Sequence, residues 1–267
     1  MTTSFADVFT VRKPIIAMAH LPPLPGTPHH DARKGIAGVV DAVLRDVEAL
    51  QNGGVDAIMF GNEGDRPYTT KATPETLAAM AVVVTQVREA VHVPFGVNYL
   101  WDPVASVALA HAVGARFVRE IFTGVYESDM GVWAPEGGQA VKLRATLGSD
   151  LLLFFNVNAE FASLMGSRSV ASRARSAVFA GLADGVCVSG PMTGQAVEVS
   201  DIAAVKEVLP DVPVIANTGV REENLASILE FADAAIVGTS LKRNGNTWNE
   251  VDVERVERFM DVVRSLR

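Results

Sequence analysis

Short apolar runs alternate along this chain with longer stretches whose apolar and polar residues separate onto two faces of a helix. The short runs predict eight strands, at residues 14–19, 56–60, 94–99, 116–121, 151–156, 184–189, 213–217 and 234–238. The amphipathic stretches predict eight helices, at residues 34–52, 74–90, 103–113, 136–147, 169–181, 201–209, 222–231 and 252–265. Short strands that each lead into a helix are typical of a parallel sheet covered by helices.

A weak internal repeat indicates that this sheet closes on itself. The even-numbered strands are entered through similar short segments, such as GVDA at 54–57. Three odd-numbered strands follow a proline instead, at Pro14, Pro94 and Pro213. This alternating βα pattern predicts an α/β fold, a (βα)8 TIM barrel. We predict one domain over residues 1–267, in which residues 1–12 are an N-terminal extension.

The predicted strands end in polar residues, although they begin with prolines and small residues. In a TIM barrel the chemistry takes place where the strands end, at the C-terminal face. The polar residues at or just after these ends include His20, Asn62, Glu63, Asp65, Asn98, Glu120, Asn156, Ser189, Asn217, Thr239 and Ser240. The sequence therefore predicts a polar site at one mouth of the barrel.

The last two βα turns contain glycines, which let a backbone come close to a ligand. N–H groups at a helix start carry partial positive charge that suits a phosphate, and phosphate sites recur in these two turns of the fold. The predicted phosphate contacts are Gly219, Val220, Gly238, Thr239, Ser240 and Lys242. The alternative, that the glycines serve tight turns alone, stays open.

Four titratable residues at the predicted mouth are candidates for proton transfer, namely His20, Glu63, Asp65 and Glu120. Histidine titrates near neutrality, and burial raises the pKa of a carboxyl group, so both suit acid–base work. Because residues on a strand face in and out by turns, only one of Arg119 and Glu120 is expected to face the lumen. His20 could instead order its loop, and Arg119 with Glu120 could form a structural pair.

Side-chain amides and a hydroxyl form a second set at the same mouth, predicted to bind the substrate. These residues are Asn62, Asn98, Asn156, Ser189 and Asn217. Because an amide both donates and accepts hydrogen bonds, such a set suits the hydroxyl groups of a sugar-like ligand. The alternative is that these are core amides satisfied by the backbone.

Two loops beside the predicted mouth have unusual composition. Residues 20–30, HLPPLPGTPHH, are expected to form a stiff extended strap along the rim, because proline fixes φ and restricts the residue before it. Residues 122–133 are long for a βα connection. We expect them to form either a lid over the mouth or a simple insertion.

Composition narrows the classes of partner. A formal charge of −8 argues against nucleic acid and anionic membrane surfaces, which bind clustered Lys and Arg. A single cysteine, Cys187, allows no intrachain disulfide, and no apolar run reaches membrane-spanning length. We expect a cytoplasmic homo-oligomer that takes a small phosphorylated substrate, with no nucleic-acid partner, no membrane insertion and no organic cofactor. A divalent metal bound by the mouth carboxylates stays open.

Several motifs together resemble the BtpA/SgcQ family. They are HLPPLPGTP at 20–28, the loop at 62–68, GVN at 96–98, FTGV at 122–125, the segment 188–194 and the segment 235–242. The resemblance implies a TIM barrel of the ribulose-phosphate-binding type. The family takes its name from a proposed role in photosystem I biogenesis, whereas relatives encoded beside sugar transport genes imply metabolism of phosphorylated sugars or nucleosides.

The chain departs from the family pattern near its strand ends. Gly61 stands where a glutamate is usual, and residues 98–102 are one residue short. Residues 119–121, Arg-Glu-Ile, replace an Arg-x-Asn-x run, and Glu160-Phe161 occupies the place of Lys-His. These changes imply a divergent subgroup with altered chemistry.

Three functions remain as hypotheses. The first is an enzyme that moves protons on a small phosphorylated sugar-like or polyol substrate, as an isomerase or a lyase does. The second is a non-catalytic assembly factor, and the third is a hydrolase of nucleosides or glycosides, which needs paired carboxylates. A Schiff-base aldolase is disfavoured because no lysine ends a predicted strand.

Overall fold

In the computed structural model, residues 3–267 are described, and the first two residues of the predicted extension lie outside them. The strands are β1 (Ile15–His20), β2 (Ala57–Gly61), β3 (Phe95–Asn98), β4 (Phe117–Glu120), β5 (Tyr126–Ser128), β6 (Gly131–Trp133), β7 (Leu152–Asn156), β8 (Ala162–Leu164), β9 (Gly185–Ser189), β10 (Val214–Asn217) and β11 (Ala234–Val237). All except β5, β6 and β8 form a closed parallel barrel, in which β1 pairs with both β2 and β11. The predicted TIM barrel is confirmed.

The helices that follow the barrel strands lie where the amphipathic pattern predicts them. The helices are α1 (Phe5–Val8), α2 (Gly35–Asn52), α3 (Pro74–Val87), α4 (Pro103–Val113), α5 (Gly137–Thr146), α6 (Val170–Phe179), α7 (Val199–Val208), α8 (Glu222–Phe231) and α9 (Val253–Ser265). Helix α4 shows how the sequence sets where a helix begins and ends. The Asp102 side chain accepts hydrogen bonds from two N–H groups of the first turn, and Gly114 ends the helix at φ 75°.

Apolar side chains fill the lower part of the barrel lumen. Inward-facing residues recur at every second position, as in Ile16 and Met18 of β1, and Leu152 and Phe154 of β7. The intervening residues face outward and pack against the helices. Because each strand keeps this alternation, the next inward position after the apolar layer lies at the C-terminal mouth.

The predicted N-terminal extension closes the opposite end of the barrel. Helix α1 and the following Phe9 bring Val8 and Phe9 into the lumen cluster. The Phe9 ring centroid lies 5.5 Å from that of Phe117 and 6.2 Å from that of Phe154. Phe9 is therefore part of the core.

A small antiparallel sheet, formed by β5, β6 and β8, packs beside the C-terminal mouth. Its hairpin occupies the loop expected to be a lid or an insertion, and β8 comes from the next βα loop. Tyr126 and Trp133 pack with Trp101 and Ile121 into a separate apolar cluster. The sequence analysis missed these strands because each has three residues and because β8 pairs with a segment more than thirty positions away.

Candidate active site

The polar strand ends come together at the mouth as one inward-facing layer. His20, Arg119, Asn156, Ser189 and Asn217 each lie two residues beyond an apolar lumen residue of the same strand. All except His20 are buried, and His20 is only slightly exposed. The strand-end prediction thus located the layer, although it did not select Arg119 as a site residue.

Two small cavities lie against this layer, and a third cavity shares wall residues with one of them. A side cavity of about 30 Å³ and an inner cavity of about 40 Å³ are both lined by Glu63, Arg119, Glu160 and Thr193. The inner cavity shares further wall residues with a third cavity of about 240 Å³, here called the glycine hollow. The residues common to these two are Gly194, Gly219, Gly238 and Thr239. A lumen lined by titratable side chains therefore adjoins the two turns that are predicted to bind phosphate.

Glu120 lies in the wall of the side cavity together with Arg119. Its Oε1 accepts a hydrogen bond from the Ile121 N–H at 2.7 Å, and its Oε2 accepts from the Trp101 N–H at 3.2 Å and from the Asn98 amide. Burial raises the pKa of Glu120 to about 7, although the Arg119 charge opposes this shift. The carboxyl group thus populates both protonation states near neutral pH.

His20 and Glu63 lie side by side at the inner cavity, with 3.6 Å between His20 Nε2 and Glu63 Oε1. Burial raises the pKa of Glu63. Burial and the nearby Lys242 charge lower the pKa of His20 to about 3, so its ring is neutral at neutral pH. Gly238 makes room for this ring, because a Cβ at that position would lie 3.1 Å from His20 Cε1.

Asp65, a predicted proton-transfer residue, holds the strap instead of facing a cavity of the mouth. Its Oδ1 accepts a hydrogen bond from the Leu24 N–H at 2.8 Å, and its Oδ2 accepts from the Asn62 amide at 3.1 Å. Asn62, a predicted substrate contact, in turn accepts from the Leu100 N–H at 2.8 Å. The hydrogen bonds of both residues thus join loops to one another, and their roles in proton transfer and substrate binding stay predictions.

The proline strap lies along the rim, as its composition predicts, and packs on the loop after β2. A Cβ at Gly64 would lie 2.6 Å from Leu21 O and 2.6 Å from Pro23 N, so this close approach needs glycine. His30 Nδ1 lies 2.9 Å from Pro23 O. The strap thereby fixes the backbone that follows His20.

The predicted substrate-binding residues divide into two groups. Asn156 lines the side cavity and Asn217 lines the inner cavity. Asn98 instead donates to Arg119 O at 2.9 Å and to the Glu120 carboxyl group, and Ser189 Oγ accepts from Asn217 at 2.8 Å. Asn98 and Ser189 thus position their neighbours, whereas Asn156 and Asn217 can meet a ligand.

The glycine hollow joins the turns after β10 and β11 at the start of α8. Gly219 has φ +61°, and a Cβ there would lie 2.3 Å from Ala196 N, so only glycine fits. The N–H groups of Gly194, Gly219 and Val220 form no hydrogen bond within residues 3–267. These N–H groups, next to a helix start, match the needs of an anion.

The predicted phosphate contacts are only partly placed around this hollow. Val220, Thr239 and Ser240 line it, and Ser240 Oγ donates to Val220 O at 2.8 Å. Lys242 does not line it: its side chain is buried elsewhere, with Nζ 2.5 Å from Asp46 Oδ2. The structure therefore corrects the prediction for Lys242.

A different cation, Arg255 of α9, lines the hollow and donates from Nε to Ser240 O at 2.8 Å. Sequence reasoning passed over Arg255 because it looked only at strand ends and the turns after them. Arg255 and Arg221 are thus the cationic residues that line the hollow.

Glu160 is a second site residue that strand-end reasoning missed, since it lies in the loop after β7. Its Oε2 accepts a hydrogen bond from Thr193 Oγ1 at 3.0 Å, and its Oε1 accepts from Asn217 Nδ2 at 3.2 Å. Burial raises the pKa of Glu160. The available signal was its departure from the family pattern at a strand end, which marked the position without indicating a role.

Buried polar atoms without a partner concentrate at this mouth. Of the eight such side-chain atoms within residues 3–267, six belong to residues of the mouth. They are His20 Nδ1, Glu63 Oε2, Asn98 Oδ1, Trp101 Nε1, Arg119 Nε and Asn156 Oδ1. Because an unpartnered buried polar group costs about 1–3 kcal/mol, this concentration marks a place for polar ligand atoms.

Two further features bear on cofactors and membranes. Within residues 3–267, no three His, Cys, Asp or Glu side chains are placed to hold a metal ion together. Over the same residues, no helix combines the length and apolar character needed to cross a membrane. The divalent metal left open by the sequence stays a prediction, as does the homo-oligomer.

Fold and mouth together define a TIM barrel with a polar, ligand-accessible C-terminal site. Sequence comparison gives the family: the sequence model of the BtpA family matches residues 11–265, and the chain belongs to that family. SgcQ, named as an sgc region protein of Escherichia coli K12, is 45% identical over 262 residues and covers 98% of each chain. The photosystem I biogenesis protein BtpA of Synechocystis is 30% identical over 262 residues, covering 96% of this chain and 90% of its own.

Solved structures support the fold. A structure described as native KDPGal superposes with a TM-score of 0.58 at 18% identity and covers 95% of both chains. Phosphoribosyl anthranilate isomerase from Thermus thermophilus gives a TM-score of 0.58 at 13% identity, covering 95% of this chain and 100% of its own. At these identities the likeness concerns the fold, since one barrel architecture serves many chemistries.

Proposed function

We propose that this protein is an enzyme that moves protons on a small phosphorylated sugar-like or polyol substrate, as an isomerase or lyase does. The observation that carries the proposal is that the glycine hollow and the inner cavity of the lumen share four wall residues, Gly194, Gly219, Gly238 and Thr239. A phosphate in the hollow would place the carbons attached to it in the inner cavity.

The anion end of this substrate meets backbone N–H groups and two arginines, since Arg221 and Arg255 line the hollow together with Glu222 and Glu223. The free N–H groups of Gly219 and Val220 and the side chain of Arg255 lie around the hollow. Such N–H groups at a helix start bind phosphate without a dedicated lysine. Burial of Lys242 against Asp46 is therefore compatible with phosphate binding.

The reacting end meets carboxyl groups suited to both halves of a proton transfer. Burial raises the pKa values of Glu63 and Glu160, which line the inner cavity, and raises that of Glu120 to about 7. A carboxyl group with a pKa near the working pH both accepts and returns a proton. His20, held neutral, can donate a hydrogen bond to a substrate oxygen without carrying charge.

The binding half of the proposal is tested by thermal shift with a panel of phosphosugars, phosphopolyols and inorganic phosphate. We expect stabilisation that grows with ligand concentration, because a ligand that binds the folded state alone raises its stability. Arg255→Met should weaken this stabilisation. Arg258→Met, the same charge change on an exposed position of α9, should not. Absence of stabilisation by every compound of the panel would sink the proposal.

The chemical half is tested by incubating binding compounds with the enzyme in D2O and following carbon-bound deuterium by NMR. Glu63→Gln is expected to retain binding and to lose at least about 100-fold in exchange rate, as expected for loss of an acid–base group. Exchange at an unchanged rate in Glu63→Gln would assign the proton transfer to another residue.

Hydrolysis of a nucleoside or glycoside is a second candidate, because Glu63 and Glu160 line the same cavity and a glycosidase needs two carboxyl groups. Release of free ribose or another sugar from such a compound separates it from an isomerase. The support for an assembly factor is the name of the Synechocystis relative, a photosystem I biogenesis protein. A protein that binds none of the compounds and forms a complex with photosystem I subunits would favour that function.

A further inference from the structure

Arg119 is a buried cation without an anionic partner. Its residue is 6% exposed, and within residues 3–267 its guanidinium has no carboxylate oxygen within 4.0 Å. Its Nε is buried and forms no hydrogen bond. A buried charged group normally has an oppositely charged or hydrogen-bonding partner, because burying an ion without such a partner costs roughly several kcal/mol.

The acids around Arg119 do not fill this role. Glu63, Glu120 and Glu160 share cavities with it, yet within residues 3–267 none of their carboxylate oxygens lies within 4.0 Å of its guanidinium nitrogens. Glu120 accepts backbone N–H groups, and Glu160 accepts from Thr193 and Asn217, whereas Glu63 lies beside His20 and keeps one oxygen without a partner. The guanidinium is thus left available to a ligand.

The apolar side chains that pack below Arg119 in the barrel lumen leave no place there for water to act as its partner. Phe117 lies two residues earlier on β4 and faces the same way, within the apolar lumen cluster that also contains Phe154 and Cys187. The space that remains is the side cavity and the inner cavity, which both contact Arg119. Any ligand group that reaches the guanidinium must therefore occupy one of these two cavities.

The size of these cavities limits that group. At about 30 and 40 Å³, each holds roughly two or three water-sized groups, given about 10–15 Å³ per probe position. A carboxylate, with three heavy atoms in a plane, fits this space and matches the planar fork of a guanidinium. The glycine hollow, at about 240 Å³, is the larger site and suits the phosphate.

We propose that the barrel lumen holds a carboxylate of the substrate on Arg119, while the phosphate lies in the glycine hollow. The substrate class is then a short phosphorylated sugar acid or hydroxy acid, not a neutral phosphosugar. This inference rests on the proposed function, because it takes the phosphate position from it. Arg119 acts here as a binding residue that sets both specificity and the orientation of the substrate.

Matched ligand pairs test the inference on the unmodified protein by isothermal titration calorimetry. 3-Phosphoglycerate is compared with glycerol 3-phosphate, and 6-phosphogluconate with sorbitol 6-phosphate, since the members of each pair differ at a carboxylate. We expect the acid of at least one pair to bind ten times more tightly or better. Equal affinities within each pair overturn the inference and leave the phosphate proposal standing, whereas failure of all four to bind overturns both.

Substitution on β4 adds a second readout. Arg119→Met should bring the affinity for the phosphorylated acid down to that of its neutral partner, and should leave the neutral partner's affinity unchanged. The matched control is Arg116→Met, which removes the same charge from an exposed position at the opposite end of the strand. Circular dichroism reports whether each variant folds. If a folded Arg119→Met still prefers the acid tenfold, the assignment of Arg119 is wrong.

Discussion

Substituting Lys242 by methionine distinguishes a structural cation from a phosphate ligand. The ammonium group lies 2.5 Å from Asp46 Oδ2, and the two side chains are 2% and 10% exposed. The other oxygen of Asp46 accepts the Val251 N–H at 2.7 Å. Without Lys242, a buried carboxylate keeps that single hydrogen bond and no counter-charge.

We expect Lys242→Met to lower the free energy of unfolding by about 3–5 kcal/mol, the usual cost of removing one partner of a buried ion pair. For a protein of this size the corresponding fall in Tm is roughly 6–20 °C. Equilibrium unfolding in urea measures the free energy directly. In the double variant Asp46→Asn/Lys242→Met, the amide oxygen can still accept the Val251 N–H, so most of the lost stability should return.

Two results would refute this reasoning. One is a Lys242→Met protein within about 1 kcal/mol of the wild type, which would place the pair among exposed ion pairs of little consequence. The other is a stable Lys242→Met protein that has lost phosphate binding, which would restore Lys242 to the role first predicted from its position after the last strand. Retained phosphate binding in the folded variant supports the hollow lined by Arg221 and Arg255 as the anion site.

Three further predictions follow from the described contacts. Phe9→Ala should cost about 3–5 kcal/mol in urea unfolding, since it empties a core position at the barrel floor; a loss below about 1 kcal/mol would mean that α1 does not pack there in solution. Because the pKa of His20 is lowered in the folded protein, its ring is protonated in the unfolded chain and neutral in the folded one between pH 6.5 and about 3. The wild type should therefore lose stability relative to His20→Asn as the pH falls through this range. A difference independent of pH in unfolding titrations would show that the ring is not desolvated. Gly219→Ala should abolish thermal stabilisation by phosphate, because its Cβ would collide with Ala196 N at 2.3 Å; unchanged stabilisation would argue against the hollow as the anion site.

Much of the fold could be predicted because its signals are local. Apolar periodicity over a few residues gave the barrel strands and outer helices, and strand alternation correctly left one of Arg119 and Glu120 facing the lumen. That residue is Arg119, yet Glu120 reaches a mouth cavity too, because it ends β4 and its side chain is not held between neighbouring strands. Alternation therefore describes strand interiors better than strand ends.

The site was less predictable because its partners are distant in sequence. Asp65 and Glu63 are both acidic residues of one loop. Only the position of Leu24 on the strap shows that the Asp65 carboxylate accepts a hydrogen bond from the strap backbone. Lys242 finds Asp46 across 196 positions, a pairing that no local pattern indicates. Arg255 reaches the site from a helix that the strand-end rule does not consider.

The small sheet beside the mouth limits how the βα loops of this family can vary. Because β5 and β6 come from one βα loop and β8 from the next, the pairing between β5 and β8 joins two segments separated by α5 and β7. A chimera that exchanged only the second loop would leave β5 without its partner β8, and one that exchanged only the first would leave β8 unpaired. We therefore expect that natural or engineered variants with a different substrate replace both loops together. The two loops change as one unit at this mouth.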